Sequence, residues 1–329
     1  MRRWLLPGLA ATLALGLALP AAAAAGRRGE PGSERVSDRG RIDWEKGVLY
    51  ATGLGAVSQK EPNAAKAYLR ARTFAKLDAL RNLLMVVDHV RIDAKTTGRD
   101  FTEASDEIRA EVKGILRGAQ VVAERQVRMG GGAMVEVTVA TPLYGDRGIA
   151  RVFVPELARR ERAATQAPAP PIVTTPPSAP EVLESPLPRS GGSDALQRDR
   201  VPAPRLREPT GGVAYTALIV DARGLGVERC MSPKIRRPDG SEVWGTLDVN
   251  LSWLIENGIV VYARSIERAR HNARTGQVPL VVRAIGRAGG AYRSDVVVSD
   301  ADADRILAAN RAGGFLDAFR VVFVVDANR

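Results

Sequence analysis

Hydrophobic and polar positions form two patterned blocks, residues 40–158 and 211–329, separated by a stretch that follows neither a helical nor a strand period. In the first block, residues 48–57 have strand character and carry Gly53 and Gly55 near their end. Pro62 follows, where the first turn of a helix tolerates it. Ala67, Ala71, Phe74, Leu77, Leu80, Leu84 and Val87 then recur at intervals of three and four. That spacing predicts one long helix with these side chains on its buried stripe. The small Ala64, Ala71, Ala75 and Ala79 let it lie close to a sheet. Residues 90–94 read as a second strand. Thr102 can cap a second helix, with Ala104, Ile108, Val112 and Ile115 inward and Gly118 ending it. Val121, Ala123 and Val127 alternate in one strand, and Val135, Val137 and Val139 in the next, joined through Gly130-Gly131-Gly132 as a hairpin. The order β-α-β-α-β-β predicts helices on one face of a mostly antiparallel sheet, an α+β module.

The second block opens with residues 213–220, a continuous apolar run of the kind buried on both faces. It ends in Asp221-Ala222-Arg223-Gly224-Leu225-Gly226. Pro238-Asp239-Gly240 is a turn signal that pairs residues 235–237 with 242–244. Residues 259–263 read as a strand, and Ser265 can cap a helix reaching Arg274. Residues 278–285 and 292–298 are expected to form a hairpin around Gly289-Gly290. A helix over 300–312, closed by Gly313-Gly314, and a last strand over 320–325 complete a mixed α/β module.

The stretch between the blocks, residues 159–210, holds 11 of the 20 prolines and no Phe, Trp or Tyr. It cannot bury enough apolar surface to offset chain entropy, so it is expected to be a disordered, semi-stiff linker. Proteolysis within it should release two stable fragments. At the other end of the chain, Arg2 and Arg3 precede an apolar run from Trp4 to Leu19, then Pro20 and Ala21 to Ala25. This is the pattern of a secretory signal peptide over 1–25, with cleavage after Ala25 and a mature chain that has no membrane-spanning segment. The alternative is an uncleaved anchor. The net charge of +11 is spread thinly over both blocks, so nucleic acid is not an expected partner.

One resemblance rests on specific residues. The run Gly47-Val48-Leu49-Tyr50-Ala51-Thr52-Gly53-Leu54-Gly55 is followed by an Ala-rich helix containing Ala71-Arg72 and Asp78-Ala79-Leu80-Arg81-Asn82-Leu83-Leu84. A short second helix, a Val-rich hairpin and Thr141-Pro142-Leu143-Tyr144-Gly145 come after it. Residues 40–150 thereby resemble the LPP-twenty lipoprotein family of bacterial envelopes, and the N-terminal domain of flagellar assembly protein T. The resemblance implies an exported, non-enzymatic envelope protein, sometimes tied to flagellar or outer-membrane assembly. Ala25 is followed by Gly26 and not by a cysteine, so it does not bring a lipid-attachment site.

Candidate chemistry is sparse. Gly53-Leu54-Gly55 and Gly224-Leu225-Gly226 follow strand patterns, but Ser58 and Arg229 stand where a dinucleotide fingerprint needs a third glycine. Both are read as tight turns exposed at sheet edges. Asp300, Asp302 and Asp304 imitate the start of a calcium loop, but Arg305 and Arg311 replace the required Gly and Glu. They are read as carboxylates drawn to a helix N-terminus. Asp221 and Arg223, at the carboxyl end of a central strand, can join Lys234, Arg236 and Arg237 to hold an anionic group, or can form a solvated turn and hairpin. Arg264, Arg268, Arg270 and Arg274 form a cationic stretch that can touch anionic lipid or cell-wall polymer, or serve as a soluble helix face. The single cysteine, Cys230, and two histidines, His89 and His271, exclude a disulfide within the chain and offer no metal cluster. The expected function is that of an exported envelope binding or assembly protein with no cofactor. Its candidate contact residues are Gly53, Gly55, Asp221, Arg223, Gly224, Gly226, Lys234, Arg236 and Arg237, and its partner is an envelope protein or an anionic cell-wall or lipid polymer. The rival is a periplasmic thiol hydrolase that pairs Cys230 with a histidine.

Overall fold

A computed structural model of the chain describes residues 33–166, 214–245 and 251–326. The expected leader and most of the Pro-rich stretch lie outside the described residues. The architecture is α+β in two modules.

The first module runs β1 (Ser33–Ser37), β2 (Gly40–Asp43), β3 (Val48–Ala56), α1 (Ala64–Asp88), α2 (Gly98–Ala104), α3 (Asp106–Arg117), β4 (Gln120–Met129), β5 (Gly132–Pro142) and α4 (Ala150–Gln166). Its five strands form one antiparallel sheet in the order β1-β2-β3-β5-β4. Asn63 caps α1 by accepting the Lys66 N–H at 3.0 Å. The long helix forms as expected, but its phase differs from the expected stripe. Ala67, Ala71, Ala75, Ala79, Leu83, Val86 and Val87 face the sheet, whereas Leu69, Phe74 and Leu77 are 58%, 64% and 58% exposed. Gly53 and Gly55 explain the rotation. A Cβ on Gly53 would stand 2.2 Å from the Ala75 carbonyl oxygen and the Ala79 nitrogen, and one on Gly55 would stand 1.9 Å from the Ala71 carbonyl oxygen. The helix lies on the strand backbone itself, so only alanines fit beneath it, and the bulky side chains are turned to solvent. Gly53 and Gly55 are therefore buried strand residues under α1, which corrects their reading as exposed turns.

The second module runs β6 (Ala217–Asp221), β7 (Ile235–Arg236), β8 (Glu242–Trp244), α5 (Leu251–Asn257), β9 (Val261–Ala263), α6 (Ile266–Arg270), β10 (Pro279–Arg283), β11 (Gly286–Ala288), β12 (Asp295–Val297), α7 (Asp300–Gly313) and β13 (Val321–Val324). Four strands form an all-parallel sheet in the order β10-β6-β13-β9. A second, mixed sheet has the order β11-β12-β7-β8. The expected hairpin over 278–298 is therefore split. Residues 279–283 join the parallel sheet beside β6, and only Gly286–Ala288 turns back on Asp295–Val297. Alternation places Leu218 and Val220 of β6 in the main core and Ile219 in a smaller cluster with Ala269 of α6.

The main core does not stop at the module boundary. One contiguous apolar cluster includes Leu83, Phe101 and Phe153 of the first module and Leu218, Tyr262 and Phe323 of the second. Residues 90–94 form no regular strand. Arg91 makes an isolated bridge to Thr97, and the carbonyls of Arg91 and Ile92 accept the N–H groups of Met231 and Ser232 at 2.9 and 2.8 Å. The segment thus divides its backbone bonds between a local turn, where Ile92 N–H donates to the Thr96 carbonyl and Gly98 N–H to that of Val90, and the other module. α4 likewise continues to Gln166, eight residues into the stretch expected as linker from residue 159.

Candidate functional site

Asp221 ends β6 at the carboxyl edge of the parallel sheet, and its side chain is buried. Arg223 donates to its two oxygens from Nε and Nη2, each at 2.8 Å, and Arg283 from Nη1 at 2.8 Å. Burial alone would raise this carboxyl's pKa, but the hydrogen bonds from Arg223 and Arg283 outweigh it and hold it below the usual carboxylate range. The turn beyond has Gly224 and Gly226 at φ +80° and +63°, so here the tight-turn reading holds. The Gly224 N–H donates to the Asp326 carboxylate at 2.9 Å, which ties the end of β6 to the end of β13.

The hairpin cations are occupied in the same way. Lys234 lies 3.1 Å from Glu161 of α4 and 2.9 Å from Glu242. Arg236 meets the buried Asp295 at 2.7 Å. Arg237 reaches Asp304 at 2.6 Å and Asp300 at 3.3 Å. The structure thus brings Asp221, Arg223, Gly224 and Gly226 together and sets Lys234, Arg236 and Arg237 in adjoining ion pairs. Every cation of the expected anion cradle is already matched by a carboxylate of this chain. The cluster acts as a clamp, which corrects its reading as an open anion site. The acidic run Asp300, Asp302 and Asp304 is spent similarly: Ser299 caps α7 by accepting the Asp302 N–H, and Arg305 lies 3.5 Å from Asp302.

Around this clamp the modules are joined by polar contacts that the sequence did not mark. Arg91 donates from Nη2 to Glu34, lies 3.2 Å from Glu228, and donates from Nε to the Arg229 carbonyl at 2.7 Å. Burial opposes its charge, but the two carboxylates outweigh burial and raise its pKa. Arg264 meets Glu45 at 2.9 Å, and the Gly145 N–H donates to the Ile255 carbonyl at 2.8 Å. These contacts link residues far apart in the chain, and no local spacing signals them.

Cys230 is fully buried beside this junction. Its backbone N–H and C=O both bond the Tyr262 hydroxyl, at 3.0 and 2.9 Å. Burial pushes its thiol up to about 12. His89 and His271 each bond through Nδ1 to a carbonyl of their own helix, Met85 and Glu267. A nucleophilic thiol needs a lowered pKa and an adjacent base, and Cys230 sits in the opposite environment.

Residues 217–327, about a third of the chain, match the family described as Treponema pallidum Tp0624, second domain. The match falls on the parallel-sheet module and the mixed sheet beside it. No curated protein matches the chain. Among the described residues, no helix is long and apolar enough to cross a membrane.

Proposed function

We propose that this protein is an exported, non-enzymatic binding or assembly protein of a bacterial cell envelope, whose docking element is the solvent side of α1. The observation that carries the reading is the exposure of Leu69, Phe74 and Leu77, each more than half open on a helix whose other side is packed by alanines. Large apolar side chains gathered on one exposed face suit a protein partner. Arg70, paired with Glu61, lies among them and Arg81 lies a turn beyond, and both can supply the polar part of such a contact. The resemblance of residues 40–150 to the LPP-twenty and flagellar assembly T families supports an envelope setting. The Arg-apolar-Ala start of the chain supports export to the periplasm or the outer-membrane periphery.

The test has two arms. Fractionation of cells producing the full chain should place a species starting near Gly26 in the periplasm or on the outer membrane. Cross-linked recovery of partners from envelopes should fail for the Phe74→Ser/Leu77→Ser double variant while the protein keeps its unfolding temperature. A cytoplasmic full-length chain, or unchanged recovery by the double variant, overturns the reading.

A further inference from the structure

At the amino ends of β9 and β13, opposite the Asp221 clamp, an open groove of about 740 Å³ is lined by Trp253, Asn257, Asn272, Arg274, Asp317 and Phe319 among others. That volume matches a small ligand of sugar or drug size. Arg274 sits in it half-buried. It donates from Nη1 to the carbonyls of Ile259 and Phe319, at 3.2 and 3.4 Å, and from Nη2 to that of Asn257. A guanidinium has five N–H donors, so three carbonyl contacts leave two for a ligand. Among the described residues none of its partners is a carboxylate, in contrast to Arg223, Arg236 and Arg237. Burial lowers its pKa, so its charge is costly here and a bound anion would relieve that cost.

The rest of the lining narrows the chemistry. The Arg274 guanidinium lies 5.1 Å from the Trp253 ring centre, and the Phe319 ring lies 5.7 Å from that of Trp253. Phe319 is held at φ +51°, a strained conformation for an aromatic residue. Asn257, Asn272 and Asp317 place side-chain amides and a carboxylate beside these rings. Aromatic surface beside amide and carboxylate groups suits a ring bearing hydroxyls, and a cation left unmatched suits a carboxylate on that ring.

We propose that this groove binds an acidic sugar, with the carboxylate on Arg274, the ring against Trp253, which the buried Phe319 backs, and the hydroxyls on Asn257, Asn272 and Asp317. The proposal is independent of the docking role of α1. It can fail while that role stands, because its test uses the purified full chain alone.

The probes are D-glucuronate, D-glucose and the dipeptide Ala-Ala, titrated by calorimetry and by tryptophan fluorescence. Glucuronate should bind saturably, and glucose at least about tenfold more weakly, the loss of one charge-assisted hydrogen-bonded contact. Arg274→Lys keeps the charge but loses the planar fork, and it should weaken glucuronate binding about tenfold. Because Arg274 also ties three carbonyls, that variant can lose stability. Arg320→Glu, an exposed reversal in the lining, should weaken binding several-fold with an unchanged unfolding temperature. Equal binding of glucose and glucuronate, preference for Ala-Ala, no saturable binding at all, or glucuronate affinity untouched by Arg320→Glu would each overturn the assignment.

Discussion

The rings of Trp44 and Tyr262 meet edge-on at 6.1 Å, one from the first module and one from β9 of the second. Both are buried, and Tyr262 in turn holds the backbone of Cys230. The expectation of two freely separable fragments therefore changes. Cleavage between residues 167 and 213 should leave both pieces bound to each other, co-eluting at the mass of the intact chain in gel filtration. Separation of the pieces without denaturant would contradict a core shared across the junction.

The Arg91 cluster should be a main support of that junction. Arg91→Ala leaves Glu34 without its cation, with only the Trp44 indole N–H still bonded to it, and should destabilise the chain by about 2–4 kcal/mol. Urea unfolding of the intact chain measures this, and the nicked form of the variant should dissociate more readily than nicked wild type.

Two glycine substitutions should differ in sign. Gly55→Ala puts a methyl into the backbone of α1 and should cost about 3 kcal/mol or more, since neither strand nor helix can yield locally. Gly114 lies inside α3, and a Cβ there meets nothing within 4 Å. Gly114→Ala should therefore stabilise the chain by about 0.5–1 kcal/mol through helix propensity. Paired thermal melts give both answers.

The clamp at Asp221 has a defined pH dependence. Its folded pKa lies below the unfolded value, so its stabilisation is complete above the ordinary carboxylate pKa of about 3.9 and is lost as pH falls through the folded value. Asp221→Asn should lower the unfolding temperature clearly at neutral pH, and the gap to wild type should close in strong acid. A gap that stays constant down to about pH 2 would mean the carboxylate's charge plays no part.

The thiol of Cys230 should resist iodoacetamide in the native chain at mildly alkaline pH and react rapidly once the chain is unfolded, because burial withholds both access and the thiolate. Mass spectrometry of time-quenched samples distinguishes the two states. Fast native labelling would revive the thiol-hydrolase alternative.

Elements with strong local periods are legible: β3, the β4–β5 hairpin, the Ser265 cap, and α7 ending at the left-handed Gly314 all lie close to where the sequence puts them. What misled was the assumption that the largest apolar side chains mark the buried face. On α1 the contact distance to Gly53 and Gly55 decides the face, and that distance depends on two strand glycines outside the helix. Residues 90–94 read as a strand because Val90, Ile92 and Ala94 alternate with polar residues, but they bond partly to the local turn at Thr96 and Gly98 and partly to Met231 and Ser232, some 140 positions away. The charged candidates failed for a related reason: composition counts cations but does not say which carboxylates they meet. Trp253 and Phe319 carry no spacing signal, and the fold sets Arg274 apart from the cationic stretch in which the sequence places it.

The order of the parallel sheet bears on how the chain is made. β13 lies between β6 and β9, so β9 has no neighbouring strand in this sheet until residues 321–324 arrive. A ribosome emitting about 5–20 residues per second needs several seconds to pass from β6 to β13, and during that time β6 presents an unpaired apolar edge. β10 can join β6 earlier, but the parallel sheet closes only after synthesis of its last strand, and until then the β13-facing edge of β6 is open to pairing with another chain.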